Sequence, residues 1–381
     1  MNQVRGARDQ VSGVRPAIPG GSCLTPDTGT LDTSVLVDSH GRVLRDLRLS
    51  LTDRCNFRCM YCLPETEAAR NFYRGHWAHL PSSAPIVQQW VPKTHILSFE
   101  EIERVVRLVV EMGIQKVRLT GGEPLLRQQT EKLVQRLAAI PGITDLAMTS
   151  NGFLFAQKAK ALRQAGLQRI SFSLDSLDRE NFKKITGRDG LEEVLTSIAL
   201  AQDLGLNPVK VNAVVIRSIN DGEIESLAEF GQRRGVSMRF IEFMPLDSAR
   251  AWQKDLVVPG HEILRRLQAR FQLQPITSNN ASETARRWTF SDGRGEIGII
   301  APVSQPFCGH CNRLRLTADG QIRTCLFSLE EHDLRSRLRA AATDQELQDF
   351  LREVTWQKEA RHHIGELDFV APSRSMSCIG G

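Results

Sequence analysis

From position 47 onward, short apolar and β-branched runs alternate with stretches of helical periodicity, the pattern of repeated β/α units around a parallel sheet. In the first run, 46–51, Leu47, Leu49 and Leu51 alternate with Arg48 and Ser50, so one set faces the covering helices and the other the interior. A helix is predicted from Ser98: Glu101 three residues later completes a capping box, the apolar series Ile102, Val105, Val106, Val109 and Val110 follows, and Gly113 stops it. Further strands at 116–120, 145–149, 169–174, 209–215 and 238–244 bring the count to six, which defines an α/β fold of the incomplete (β/α)6 TIM-barrel type. Beyond Pro245 the rhythm breaks into a short helix at 261–270, a strand at 296–301 and the hairpin RLRLTADGQIRTCLF turning on Asp319-Gly320, read as a C-terminal layer. Three regions result: an extension over 1–42, a barrel over 43–245 with an inserted loop at 63–97, and a C-terminal region over 246–381.

Composition narrows the picture. The 381 residues are 41% hydrophobic and 24% charged, which excludes a disordered or collagenous chain. The formal net charge of +5 suits an anionic small molecule and is too small to suggest a nucleic-acid groove. No apolar run is long enough to span a membrane, and the first residues lack the apolar core of a secretion signal, so a cytoplasmic protein is expected. Residues 1–42 mix Gly, Pro, Ser and Thr with both charge signs and read as a flexible extension outside the fold; their acidic residues disfavour an organelle-targeting peptide. The 63–97 insertion holds Trp77, Trp90 and four prolines, too apolar for a free linker, and is expected to fold over one rim as a lid or a dimer contact.

Chemistry gathers at the expected carboxyl ends of the strands, where parallel β/α proteins build their sites. Those ends read TDRCNFRCMYC, TGGEP, TSNG, SLDS and EFMP, and Lys210 and Asn212 stand at interior parity in the fifth strand, where an aliphatic residue would normally fill the barrel. An ammonium there must be paired or serve a ligand. Six of the eight cysteines fall in two triplets, and in a reducing compartment these are metal ligands sooner than disulfides. Cys55, Cys59 and Cys62 form C-x3-C-x2-C on a loop after a strand, a spacing that offers three thiolates to a four-iron cluster and leaves one iron open. Zinc completed by His76 or His79 is the alternative. Cys308, Cys311 and Cys325 form C-x2-C-x13-C, the last returned by the hairpin; a second cluster with an open iron is favoured over a zinc site using His310, which is wedged inside its own C-x2-C. Cys23 and Cys378 have no partner at metal spacing.

The CNFRCMYC loop followed by GGEP resembles the radical S-adenosylmethionine (SAM) superfamily. With KVRLTGGEPLLR, TSNG, ISFSLDSLD, KVNAVV, RFIEFMP, CGHCNRLRLTADGQIRTCLF and the closing IGG, the chain from about Val43 to Gly381 resembles, within it, the GTP 3′,8-cyclase family of molybdenum cofactor biosynthesis. That resemblance implies two [4Fe-4S] clusters, held by Cys55, Cys59 and Cys62 and by Cys308, Cys311 and Cys325, with SAM as co-substrate. It implies a 5′-deoxyadenosyl radical that takes the 3′-hydrogen of GTP, after which the ribose carbon attacks C8 of guanine to give 3′,8-cyclo-7,8-dihydro-GTP. By the same resemblance Tyr61, Gly122, Ser173 and Met244 contact SAM, while Arg48, Arg118, Thr149, Lys210, Arg313, Leu314 and Arg315 contact GTP. The terminal Gly380 and Gly381 would thread into the site and act there with Arg313 and Arg315. Implied partners are a flavodoxin or ferredoxin reductant, a downstream cyclic pyranopterin monophosphate synthase and a second copy in a homodimer, with neither nucleic acid nor membrane; magnesium would be an optional companion of the triphosphate. Another two-cluster radical SAM enzyme, acting on a peptide, is the competing expectation.

Overall fold

The computed structural model describes residues 35–76, 90–247, 252–278, 280–366 and 369–380. Its strands are β1 (Asp46–Ser50), β2 (Lys116–Thr120), β3 (Asp145–Ser150), β4 (Arg169–Ser173), β5 (Lys210–Val215), β6 (Ser237–Glu242), β7 (Leu273–Ile276), β8 (Arg286–Phe290), β9 (Glu296–Ile300), β10 (Arg313–Leu316), β11 (Gln321–Arg323) and β12 (His332–Asp333). From β1 to β6 each strand pairs in parallel with the next, the six-stranded partial barrel that the periodicity predicts. The alternation in β1 is realised: Leu47, Leu49 and Leu51 are fully buried in the core beneath the helices, and Arg48 faces the interior cavity. Ser98 caps the Phe99–Glu111 helix through the expected reciprocal bonds with Glu101, and Gly113 ends the segment at φ +93°.

The C-terminal segment, expected as a layer of its own, joins the barrel through its sheet. β10 pairs in parallel with β1 and β9 with β6, so the six-stranded arc continues at both edges; antiparallel β11 and β12 extend one side and β8 and β7 the other. This attachment sets the register of the last cysteine-bearing segment against the first strand.

Packed structure also begins earlier than the expected boundary at Val43. Residues 1–34 lie outside the described residues, but Val37 bridges Val43 in antiparallel fashion and Leu36 and Leu44 are fully buried. The Asp38 carboxylate, accepting the backbone N–H groups of His40 and Arg42, holds the intervening turn. In the 63–97 insertion, residues 77–89, including Trp77 and His79, lie outside the described residues, as do the side chain of His76 and, elsewhere, Cys23. The described flanks hold to the cysteine loop: a helix spans Glu67–His76, the Val91 N–H donates to Asp53, and the Trp90 ring lies beneath the guanidinium groups of Arg54 and Arg58. No helix among the described residues is long and apolar enough to cross a membrane.

The loop after β2 is fitted against the first cysteine loop with no space to spare. The Gly122 N–H donates to the Thr52 carbonyl at 2.7 Å and the Glu123 N–H to that of Arg54 at 2.8 Å, and a Cβ on Gly122 would stand 2.2 Å from the Arg54 carbonyl oxygen. Gly122→Ala is therefore expected to displace the cysteine loop, lowering the thermal midpoint by several degrees and the iron bound on anaerobic reconstitution. Wild-type values in both measurements would contradict this packing argument.

Candidate active site

The carboxyl ends of the parallel strands carry the site. One cavity of about 290 Å³ is lined by all six cysteines of the two triplets, so segments more than 240 residues apart in sequence face a single space. Tyr61, Gly122, Thr149, Ser173 and Met244 line the same cavity, together with Arg48, Arg118, Arg313 and Arg315. A second chamber of about 440 Å³ adjoins it through shared residues, Arg48, Arg118, Arg239 and Arg313 among them, and is lined also by Lys210. Leu314 is placed apart from the others: its side chain is fully buried in the core on the helix-facing side, so only its backbone is available to a ligand. Gly381 lies outside the described residues.

The cations are set by strand register. Arg48 is paired with Arg315 on one side and Arg118 on the other, which puts three arginines in one row across adjacent strands. Like charges in register repel, and here they are also desolvated. Burial, then Arg118 and Arg313 against an opposing Asp46, holds Arg48 down to about 10; burial, then Arg48 and Arg313, holds Arg315 down to about 9. Burial and the neighbouring Arg239, Arg169 and Arg118 hold Lys210 down to about 7. The Nε atoms of Arg48, Arg239 and Arg313 are buried without a hydrogen-bond partner. Such a set of forked donors fits a polyanion.

The two triplets differ electrostatically. Burial raises the thiols of Cys55, to about 11, and of Cys59 and Cys62. A bound metal cluster would supply the positive charge that lets these three ionise. In the second triplet burial, then the Glu359 carboxylate, raises the Cys325 thiol, but at Cys311 the positive charges of Arg313 and Lys358 outweigh burial and bring the thiol down to about 6. None of the seven described cysteines is in a disulfide. Among the described residues no three His, Cys, Asp or Glu side chains converge closely enough to hold a single metal ion. A polynuclear cluster, which presents a separate metal to each thiolate, does not require that convergence, and both donor sets fit such a group.

Supporting polar groups come from the strand ends. Glu123, buried and raised to about 7 chiefly by desolvation, accepts the Asn151 N–H at 2.7 Å and the Ser150 hydroxyl at 2.9 Å, and the Asn151 side-chain amide donates to Asn56 at 2.8 Å in the cysteine loop. Asp175, raised by burial to about 6, accepts the Tyr61 hydroxyl at 2.7 Å and the Val214 N–H at 2.8 Å. The Gly380 carbonyl accepts a bond from Arg315, and at φ +72° a Cβ there would stand 2.7 Å from the Thr120 hydroxyl oxygen, so the tail enters between the ends of β1 and β2 only as glycine. Arg239, Glu123 and Asp175 are site residues that sequence reasoning passed over. Arg239 had a legible signal, a charge at interior parity in RFIEFM, whereas GGEP and SLDS drew notice only for other residues.

Comparison with known proteins gives the family. Residues 49–231 match the model of the Radical SAM superfamily and residues 236–364 that of Molybdenum Cofactor Synthesis C. The crystal structure of Streptococcus suis SuiB bound to S-adenosylmethionine shares the fold at a TM-score of 0.53 and 14% identity, over 82% of this chain and 69% of that one. The protein is thus of the radical SAM class, a partial barrel with its chemistry at the strand ends. It is 42% identical to the GTP 3′,8-cyclase of Rhodopirellula baltica over 93% of this chain and 94% of the relative, and 42% identical to that of Streptomyces coelicolor over 91% and 96%. The chain belongs to the GTP 3′,8-cyclase family.

The cation row generates a prediction. In the ligand-free protein Arg48 is a partly buried charge beside like charges, so Arg48→Met should raise stability by about 1 kcal/mol at low salt while weakening retention of inorganic triphosphate. Denaturant unfolding and equilibrium dialysis measure the two effects; a destabilised variant with unchanged triphosphate binding would count against the row as an anion site.

Proposed function

We propose that the chain converts GTP to (8S)-3′,8-cyclo-7,8-dihydroguanosine 5′-triphosphate with SAM as co-substrate, the lyase reaction that opens molybdenum cofactor biosynthesis. The observation that carries this reading is the single cavity lined by both cysteine triplets and by the in-register arginines Arg315, Arg48 and Arg118. When bound, a cluster on Cys55, Cys59 and Cys62 supplies the electron that cleaves SAM into methionine and a 5′-deoxyadenosyl radical. Cys308, Cys311 and Cys325 would hold a second cluster, which would supply metal binding to the purine base.

The chain's own residues bind and orient the two substrates. Tyr61, Gly122, Ser173 and Met244, which line the main cavity, are assigned to SAM. Arg48, Arg118, Thr149, Arg313, Arg315 and the backbone of Leu314 are assigned to GTP, with Lys210 and the missed Arg239 reaching the triphosphate in the adjoining chamber. The anion relieves the repulsion that the row imposes on the empty barrel, so part of the energy that fixes the triphosphate comes from removing strain already present. Fixing that end holds the ribose against the radical and keeps its 3′-hydrogen in reach. Gly380, whose carbonyl Arg315 holds, is assigned to act beside the ribose, and Gly381 is assigned the same role by the family resemblance. The reading includes magnesium on the triphosphate, a flavodoxin or ferredoxin reductant, a homodimer, a cytoplasmic setting and a downstream synthase that consumes the product. Action on a peptide is not favoured, because the solved neighbours with peptide ligands share only the fold.

The direct test incubates reduced, reconstituted protein with SAM and GTP and measures 5′-deoxyadenosine, methionine and the cyclised nucleotide. Cys308→Ser should retain SAM cleavage and lose GTP conversion; wild-type conversion by that variant would sink the assignment of the second triplet. Lys210 supplies a pH signature. Its folded value near 7 lies below the ordinary lysine range, so above pH 7 the empty site holds it mostly neutral, while bound triphosphate favours the ammonium. GTP binding at pH 8 is therefore expected to take up a proton, and affinity to fall by less than tenfold per pH unit above 7. Calorimetry in buffers of different ionisation enthalpy reads the uptake, which Lys210→Met should abolish.

A further inference from the structure

We propose that Arg42 and Lys358 form a two-cation brace that sets the geometry of the second cysteine triplet, and that Lys358 also supplies positive charge to its thiolates. The inference rests on the reading of that triplet as an iron-sulfur site. Its three cysteines sit on separate limbs: Cys308 opens the short turn Cys308–His310, Cys311 leads into β10, and Cys325 follows β11. Lys358 donates to the carbonyl of Arg313 at 3.1 Å and to that of Thr324, gripping the second limb two residues after Cys311 and the third at the residue before Cys325. Arg42 donates to the Cys308 carbonyl at 2.8 Å and, with the rest of its guanidinium, to the carbonyls of Ala360 at 3.0 Å and Glu359 at 2.6 Å. The circuit closes through the backbone of 358–360, and Glu359 adds a bond from the Thr324 hydroxyl at 2.7 Å.

Both cations are almost fully buried, Arg42 at 8% exposure and Lys358 at 3%. Neither lines the reaction cavity, so both are positioning residues that act through the cysteine limbs. They divide the work by charge. Arg42 is neutralised by Asp38 at 2.5 Å, which leaves it a mechanical strut of three carbonyl contacts. Lys358 bonds only to the carbonyls of Arg313 and Thr324 and forms no ion pair among the described residues, so its charge is set on the backbone of the second and third cysteine limbs. An uncompensated buried ammonium is costly unless an anionic group stands near, and a thiolate-ligated cluster is such a group.

The test uses the full chain, reconstituted anaerobically, with Arg42→Met, Arg42→Lys, Lys358→Gln and Lys358→Arg compared against Cys308→Ser. Iron per chain, the paramagnetic signals of the two clusters in a redox titration, and the thermal midpoint are measured. Wild type should hold about eight irons. Arg42→Met and Lys358→Gln should fall toward about four with the first signal intact, as in Cys308→Ser, and any second cluster left in Lys358→Gln should reduce at a lower potential, which Lys358→Arg restores. Full iron and an unshifted second signal in both variants would overturn the brace. If Arg42→Met and Lys358→Gln fail to fold, Arg42→Lys decides: selective weakening of the second signal supports the proposal, while equal loss of both signals, or no loss, overturns it. Wild-type protein with only about four irons, unchanged by Cys308→Ser, would instead show that the two-cluster reading had failed, and the brace with it.

Discussion

The row Arg315, Arg48, Arg118 is the constraint to which the rest of the barrel answers. Three guanidinium groups in cross-strand register cannot be packed as an ordinary barrel core, because each is desolvated beside another of the same sign. Their strands are held in place from the other face, where Leu47, Leu49, Leu314 and Leu316 are fully buried under the helices. The same alternation that builds the hydrophobic core therefore builds the cation row, one residue out of phase. Stability lives on the outer face and binding on the inner.

That division explains why the sheet stays open and why the C-terminal segment completes it. Eight strands closed on each other would enclose an interior just wide enough for side chains. Six strands with continuing edges leave room for two chambers, and the β10 edge delivers Arg313, Arg315 and the second triplet to the same level as the first. One topological choice sets both the distance between the two cysteine sets and the identity of the cations between them.

Much of this was legible in the sequence because it is local. The six parallel strands, the Ser98 capping box and the hairpin at Asp319-Gly320 follow from short-range periodicity and turn chemistry, and the cysteine spacings from the fixed reach of a loop. What escaped reading depends on contacts distant along the chain. Arg42 sits in a stretch whose Gly, Pro and Ser content resembles a loose head, and it is fixed by carbonyls 266 to 318 residues away. Lys358 looks like a surface lysine after the Asp344–Trp356 helix, and only the fold shows it buried between β10 and β11. Leu314, named within an Arg-Leu-Arg run, obeys strand parity and turns its side chain from the cavity, leaving only its backbone to the site. Parity was the better guide there, and it would also have found Arg239.

Arg315 joins the binding and closing functions of the site. It belongs to the cation row and also donates to the Gly380 carbonyl, so the same guanidinium that repels its neighbours in the empty barrel holds the end of the chain inside it. A guanidinium carries five N–H donors, and a carbonyl uses only part of that set. Arg315 also lines the cavity, so the donors left over are open to the anion proposed for it. Backbone at 380 must then pass close to Thr120, which glycine alone allows at that dihedral. The tail is placed by the charge its neighbour carries, and its composition is dictated by how little room β1 and β2 leave beside that charge.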